Sequence, residues 1–247
     1  MGPPTRWRKA RTHVGAIRYP AAMSFDYEEK ASTSRFVDVF WQTFDRTDGT
    51  YLAAADACWD MIFIRGGGGI RALLSGPSSN ITPVPYKAGN RNVGIRFVRG
   101  SFLTHVPATV MVDTTVVLPM ADEGSFVLAG QTWPVPTYEA VEDFVAGLEQ
   151  RRLLSDDPLV LAALRGDRPS TSSRSLQRHF LQVTGLTEKR IRTIVRARAA
   201  AEMLQRGLSI LDVTHELGYA DQAHLTRDLR ELTGYTPGET KDRNEPI

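Results

Sequence analysis

The sequence predicts an α+β multidomain chain, with a β-rich, barrel-like N-terminal domain followed by an all-α C-terminal domain. Three observations lead to this fold class. Short runs rich in β-branched and aromatic residues alternate with turn residues from about residue 17 to residue 133. After Pro134-Val-Pro136, apolar residues recur at helical spacing. In the last quarter of the chain, two similar helical segments lie about fifty residues apart.

Composition excludes several classes of protein. The chain has 247 residues, 42% hydrophobic and 23% charged, which is typical of one or two globular domains. No apolar run approaches the roughly 18 residues that span a bilayer, and the N-terminal arginines precede no apolar stretch of the kind found in secretory signals. The single cysteine, Cys58, excludes an internal disulfide. These features predict a cytoplasmic protein.

Strands of the N-terminal domain are predicted from their β-branched and aromatic content over residues 36–44, 59–65, 70–74 and 92–99. The sequences between them carry turn residues, at Thr47-Asp-Gly49, Gly66 to Gly69, Gly76 to Asn80, and Pro83-Val-Pro85. Short strands at this spacing indicate a sandwich or a barrel.

The N-terminal domain lacks the residues that catalysis would need. His105 is the one histidine of this region, whereas a cupin-type metal site needs several and a Ser-His-Asp triad cannot be assembled convincingly from so few. The glycines after Arg65 are not followed by the Gly-Lys-Ser/Thr of a phosphate-binding loop, which favours a hairpin turn. Cys58, between Ala57 and Trp59, is placed in the core rather than in a redox sensor. We predict no enzyme, no cofactor and no metal site; an unfamiliar catalytic site in the barrel is the least favoured alternative.

Helical periodicity begins after the Pro-Val-Pro segment. Thr137 is predicted to cap a helix that runs to about Leu154 and buries one apolar face, formed by Val141, Phe144, Val145 and Leu148. From there to Thr240 the pattern is almost entirely helical, so the domain boundary falls near residues 135–157.

The first of the two similar segments is an amphipathic helix over residues 172–182, which Gly185 ends. Ser172 is suited to cap its N-terminus, and Leu176 and Phe180 lie four residues apart on the buried face. The outward face near the N-terminus then carries Ser173, Arg174, Gln177 and Arg178. Arginine can donate two hydrogen bonds to guanine, and glutamine can pair with adenine.

A five-turn helix is predicted over residues 187–205, with a buried stripe of Ile191, Ile194 or Val195, Ala199 and Met203. The second segment follows it. Ser209 caps a short helix, Gly218-Tyr219 forms a tight turn, and another helix starts near Ala220 or Asp221. This is the helix-turn-helix pattern, in which the second helix enters the major groove of DNA. Its outward residues are Gln222, Ala223, His224, Thr226 and Arg227.

Two stretches of the chain resemble the AraC/XylS family of bacterial transcription regulators. Gly218 to Arg227 followed by Thr233 to Pro237 is similar to the C-terminal motif of that family, and Ser175 to Phe180 with Thr184 to Thr187 is similar to its first recognition helix. The resemblance covers roughly residues 157–240 and implies two helix-turn-helix units, joined by a linker helix, in adjacent major grooves. The DNA-facing residues that we assign are Ser173, Arg174, Gln177, Arg178, Arg196, Gln222, His224, Thr226 and Arg227.

The N-terminal domain resembles the degenerate, metal-free cupin-like barrel that precedes some AraC-type domains, around Trp59–Phe63 and Gly94–Phe102. This resemblance implies effector binding or dimerisation, with Arg96 and Arg99 as candidates for holding an anion or as surface residues. Besides duplex DNA, the implied partners are a small-molecule effector, RNA polymerase and a second copy of the chain. We divide the chain into 1–16, a disordered basic tail; 17–135, the sensing or dimerisation domain; 136–156, a helical connector; 157–240, the DNA-binding domain; and 241–247, a C-terminal tail.

Three departures from the family pattern affect the expected DNA-binding domain. Only six residues separate Arg165 from Ser172, so the short helix before the first recognition helix is expected to be missing or reshaped. Thr214 replaces a small alanine, and Ala220 replaces the usual capping residue.

Charge is distributed unequally between the two units. Residues 165–206 carry ten Lys or Arg against three acids, a net +7, whereas residues 209–240 carry two against six, a net −4. The first unit is therefore expected to supply most of the phosphate affinity. An adaptor that binds protein through its helical domain is the alternative function.

Overall fold

The structure is a computed structural model that describes residues 17–18, 24–167 and 170–242. The predicted tail over residues 1–16 and most of the predicted C-terminal tail lie outside the described residues. Strands dominate up to residue 134 and helices dominate after it, which confirms the predicted fold class. No helix of the described residues is both long and apolar enough to cross a membrane.

The β-rich region contains fourteen strands among the described residues. They are β1 (Ile17–Arg18), β2 (Phe25–Lys30), β3 (Val37–Asp45), β4 (Gly49–Ala53), β5 (Asp60–Gly66), β6 (Gly69–Ser75), β7 (Thr82–Tyr86), β8 (Arg91–Phe97), β9 (Ser101–Leu103), β10 (Thr115–Leu118), β11 (Met120–Asp122), β12 (Ser125–Leu128), β13 (Gln131–Pro134) and β14 (Leu154–Asp156). Seven form one antiparallel sheet in the order β1-β2-β3-β8-β5-β6-β10, and β11, β12 and β13 form a second sheet.

The four predicted strands correspond to β3, β5, β6 and β8, and Gly66 pairs with Gly69 at the predicted hairpin turn. The turn predicted at Pro83-Val-Pro85 is wrong, because these residues lie in β7 and pair with β4. The two prolines are two residues apart, so their missing N–H groups fall on one edge of the strand. A strand in a two-stranded ribbon has a free edge and tolerates proline there.

An aromatic core fills the N-terminal domain and extends onto the helix that follows it. The ring centroids of Phe63 and Phe126 are 5.3 Å apart, and Phe144 of the connector meets Trp133 edge-on at 5.4 Å. This helix, α2, spans Val141–Gln150, whereas α1 is the single turn Ala108–Met111. Burial of α2 therefore joins the connector to the β-rich domain.

The predicted bounds of the connector helix are wrong at both ends. It begins at Val141, and the hydroxyl of Thr137 accepts only the N–H of Ala140 in the preceding turn. It ends at Gln150, because Arg152 adopts a left-handed φ of 56° that reverses the chain. The residues that follow form β14, which pairs with β9, so the connector is not wholly helical.

The C-terminal helices are α3 (Pro158–Leu164), α4 (Ser173–Thr184), α5 (Glu188–Gln205), α6 (Ile210–Glu216), α7 (Gln222–Thr233) and α8 (Pro237–Lys241). The short helix expected to be missing from the first unit is present as α3. The carboxylate of Asp157 caps α3 by accepting the N–H groups of Leu159 and Val160. The start of α7 is also settled, since Asp221 is its N-cap and accepts the N–H of His224.

The buried stripe of α5 agrees with the prediction only at Ile191 and Ile194. Ala199 and Met203 are half-buried, and the residues buried instead are Ala197, Ala200, Ala201 and Leu204. Helix α5 serves two cores, because its first half packs with α3 and α4 and its second half with α6 and α7. The alanines allow the helices to approach closely there, which a pattern based on large apolar residues does not detect.

Candidate nucleic-acid interface

Helix α4 presents four polar side chains outward near its N-terminus. The hydroxyl of Ser172 accepts the N–H of Ser175, and Phe180 is fully buried on the opposite face. The exposed side chains are those predicted: Ser173, Arg174, Gln177 and Arg178. None of these four side chains makes a hydrogen bond or an ion pair with any other described residue. Two full positive charges and an amide are thus available at the positive end of a helix.

Helix α7 resembles α4 in its packing but differs in its polar face. Leu225 and Leu229 are fully buried, as predicted, and Gln222, Ala223 and Arg227 are exposed. The two other predicted residues of this face are only half-exposed. The hydroxyl of Thr226 donates to the carbonyl of Gln222 at 2.8 Å, and the ring of His224 turns toward α5.

Arg196 of α5 and His224 of α7 belong to one internal network. Nη2 of Arg196 lies 3.0 Å from the Asp228 carboxylate and 3.3 Å from Nε2 of His224. The guanidinium stacks 4.2 Å from the ring centroid of Tyr219, which His224 meets edge-on at 5.1 Å. Burial, together with nearby Asp228, raises the pKa of Tyr219 to about 12. Arg196 and His224, both predicted to face DNA, therefore contact each other inside the protein.

Several arginines of the basic stretch over residues 165–206 make internal contacts. Arg192 pairs with Glu188 one turn earlier and donates to the carbonyl of Ala163 at the end of α3. Arg190 pairs with Glu231 of α7 and also donates to the carbonyl of Ser79 at 2.6 Å. Sequence reasoning missed these roles, although the i, i+4 spacing of Glu188 and Arg192 signals the first pair.

Residues 167–243 match the family described as "Helix-turn-helix domain". These residues form an AraC-type helix-turn-helix domain. Its two recognition helices are α4 and α7, with α5 between them as the linker helix, which agrees with the resemblance that the motifs predicted.

Two curated relatives share this helix-turn-helix domain. Over 66 residues, the chain is 41% identical to the HTH-type transcriptional regulator RipA of Corynebacterium glutamicum and 38% identical to RipA of Corynebacterium diphtheriae. The aligned residues are 27% of this chain and 20% of each relative, so the chain spans about one fifth of their length. Among solved structures, the chain is similar to ToxT from Vibrio cholerae O395, over 87% of this chain and 96% of that one, with a TM-score of 0.43 and 11% identity.

One contact in the first unit of the helix-turn-helix domain was not predicted. Nδ1 of His179 on α4 lies 2.6 Å from the Asp157 carboxylate, which also caps α3. Burial raises the pKa of Asp157, but the hydrogen bonds from His179 and from the N–H groups of α3 outweigh it and lower the pKa below its usual value. A single carboxylate thus connects the two helices of this unit.

The two arginines proposed as anion ligands in the N-terminal domain already have acidic or carbonyl partners. Arg96 makes two hydrogen bonds of 3.1 Å to the Asp60 carboxylate and also pairs with Asp56, and Arg99 donates to the backbone carbonyl of Asp56. Burial opposes the charge of Arg96, yet the two carboxylates hold its pKa well above the usual value. Among the described residues, no cluster of three or more His, Cys, Asp or Glu could hold a metal ion.

Proposed function

We propose that this protein is a sequence-specific DNA-binding transcription regulator. One observation carries the proposal: the N-terminal half of α4, in a helix-turn-helix domain, exposes Arg174, Gln177 and Arg178, which have no partner among the residues that the structure describes. Exposed, unpaired side chains of this kind at the N-terminus of a recognition helix fit the edges of bases and the neighbouring phosphates. In this proposal Ser173 lies beside them against the DNA backbone.

The arrangement of α4, α5 and α7 supports contact with two successive major grooves. The linker helix has 18 residues, which corresponds to a length of about 27 Å. This length is comparable to one helical turn of B-DNA, roughly 34 Å. In this proposal Gln222, Thr226 and Arg227 of α7 face the second groove.

The two units contribute unequally in this proposal. Helix α4 carries two arginines with no partner among the described residues, whereas the sequence of the second unit around Arg227 includes the acidic residues Asp221 and Glu231. Because phosphate contacts dominate affinity, the first unit supplies most of the binding energy and the second unit adds sequence preference and register.

We further propose that residues 17–135 form a domain that senses an effector or mediates dimerisation. It would act on the DNA-binding domain, residues 157–240, through the connector, residues 136–156. Direct contacts between the domains support this role. Ala55 donates its N–H to the carbonyl of Leu232 in α7, and Arg190 of α5 donates to the backbone carbonyl of Ser79. A small-molecule effector, RNA polymerase and a second copy of the chain are the partners that this role implies.

The test is selection of bound duplexes from a random DNA library with the full-length chain. We expect an enriched motif with two subsites about one helical turn apart. Affinity for that motif should fall steeply as salt increases, because bound phosphates release counterions. No enrichment, together with salt-independent capture of a protein partner, would refute the proposal in favour of an adaptor.

A further inference from the structure

Arg196 occupies a position between the linker helix and the second recognition helix. Its Nη2 is shared by Asp228 and His224, and one face of its guanidinium covers the ring of Tyr219. Its Nε is buried, with no hydrogen-bond partner among the described residues. Nε and Nη2, which a DNA-contacting arginine would direct at a phosphate or a guanine, are therefore directed into the protein.

Asp228 makes this arrangement necessary. Its side chain is 11% exposed, and the guanidinium of Arg196 is the one hydrogen-bond donor to its carboxylate among the described residues. A buried carboxylate left without its partner is strongly destabilising, so Asp228 must stay against Arg196. The pair fixes one face of α7 against α5 by charge and not only by apolar packing.

We infer that Arg196 is a positioning residue, which sets the rotation of α7 through Asp228 and does not itself contact DNA. The inference deepens the proposed function and rests on it. His224 and Asp228 are one turn apart on the inward face of α7. Successive residues of a helix point about 100° apart, so fixing this face determines that Gln222, Ala223 and Arg227 point outward. A contact at the N-terminal turn matters most, because that turn enters the groove.

The ring of His224 belongs to the same arrangement. Its Nε2 lies 3.3 Å from Nη2 of Arg196 and 3.7 Å from the Asp228 carboxylate. The backbone N–H of His224 donates to the Asp221 carboxylate at 2.7 Å. His224 thus fixes the first turn of α7 through its backbone, and its side chain fixes that turn against α5.

The experiment compares full-length wild type with R196M, R196K, D228N and the double variant R196M/D228N. Base preference at each subsite is measured by library selection, and the slope of log affinity against log salt is measured on the selected duplex. R174M is the matched control, because Arg174, on the other recognition helix, is an exposed arginine that pairs with none of the described residues. Loss of one phosphate contact should reduce the magnitude of the salt slope by about 0.9 in R174M.

If Arg196 positions α7, R196M should lower base preference at the second subsite about tenfold and leave the first subsite and the salt slope unchanged. D228N should produce the same change in preference, and the double variant should lose no more than R196M alone. R196K should not restore the preference, since a lysine lacks the planar group that stacks on Tyr219 and holds two partners.

Other outcomes overturn the inference. A salt slope that falls in R196M as in R174M, with rescue by R196K, assigns a phosphate contact to Arg196. Equal losses of base preference at both subsites would show that Arg196 has only a general role in stability. R196K, a milder substitution, provides a second measurement of the same comparison. If wild type selects no duplex, the proposed function fails, and the inference fails with it; if wild type selects a duplex but the variants do not differ from it, only the inference is overturned.

Discussion

Arginine side chains serve two purposes in the helix-turn-helix domain. Arg174 and Arg178 are exposed and have no partner among the described residues, whereas Arg190 and Arg196 each meet a carboxylate of α7. All four belong to one basic stretch of the sequence, and nothing local distinguishes them. The partner carboxylates are more than thirty residues away in the chain, so only the folded structure separates the two groups.

Arg178→Ala tests the first group. We expect specific affinity to fall by about 1–3 kcal/mol, as for loss of an arginine that contacts a base. The measurement is affinity for the selected duplex and for an unrelated duplex. Equal losses on both would show a phosphate contact and contradict base recognition. Arg192→Ala is the control, because Arg192 is paired with Glu188 and should leave base preference unchanged.

Cys58 is predicted to be chemically inert in the folded protein. Burial raises the pKa of its thiol to about 12, so almost no thiolate, the reactive form, exists at neutral pH. Because the folded pKa is the higher one, the stability linked to it is complete below pH 9 and is lost as pH rises toward 12. We expect iodoacetamide to modify Cys58 in urea but not in buffer, as measured by mass spectrometry. Rapid labelling in buffer would contradict this prediction.

At the scale of elements, the sequence predicted the helix ends that are set by residues adjacent in the chain. The caps Ser172 and Ser209 and the left-handed Gly185 lie where local rules place them. The end of α2 and the burial of Ala200 were not predicted, because they depend on strand pairing and on helix contacts between distant segments. For the same reason, the sequence indicated the outward face of α4 but not the inward turn of His224 on α7.

The joint between α3 and α4 gives a prediction at this scale. Asp157→Asn should destabilise the protein by about 1 kcal/mol, since it weakens both the cap of α3 and the bond to His179. The pKa of Asp157 is lowered on folding, so its contribution is present above the usual value of 3.8 and is lost as pH falls through the lower, folded value.

The measurement for Asp157 is the free energy of unfolding of wild type and variant between pH 7 and pH 2. The difference between them should shrink at the acidic end of this range. Asp167→Asn is the control, because Asp167 pairs with Arg165, their side chains are 63% and 64% exposed, and such exposed pairs contribute little. A difference for Asp157→Asn that stays constant with pH would contradict the role of its charge.

At the scale of the whole molecule, the two domains share a core. Ala55 and Ala57 of the β-rich domain are buried in one cluster with Phe180 of α4 and Leu232 of α7. The N–H of Ala55 is satisfied by the carbonyl of Leu232, so a loop of one domain completes a helix end of the other. No motif marks this loop, which is why the sequence suggested two domains joined by a connector. In the structure, residues of the β-rich domain therefore contact both recognition helices directly.

Gly185 provides the test of this shared core. Its φ is 69°, and a Cβ there would lie 2.3 Å from the Val112 side chain and 2.9 Å from the carbonyl oxygen of Ala108, both in the β-rich domain. Gly207 has a φ of 91° and nothing within 4 Å of such an atom. Alanine should therefore cost about 1–2 kcal/mol at Gly207, from backbone strain alone. At Gly185 it should cost about 1–3 kcal/mol more, because α1 must move away from α4.

Differential scanning calorimetry of the full-length chain decides between a shared core and independent domains. With a shared core, wild type and Gly207→Ala should each unfold in a single transition whose calorimetric and van't Hoff enthalpies agree. Gly185→Ala should lower the transition temperature further or split the transition in two, as the contact between the domains is lost. Equal effects of the two alanines, with two transitions already in wild type, would show that the domains unfold separately. In that case the β-rich domain could act on the recognition helices only through the connector.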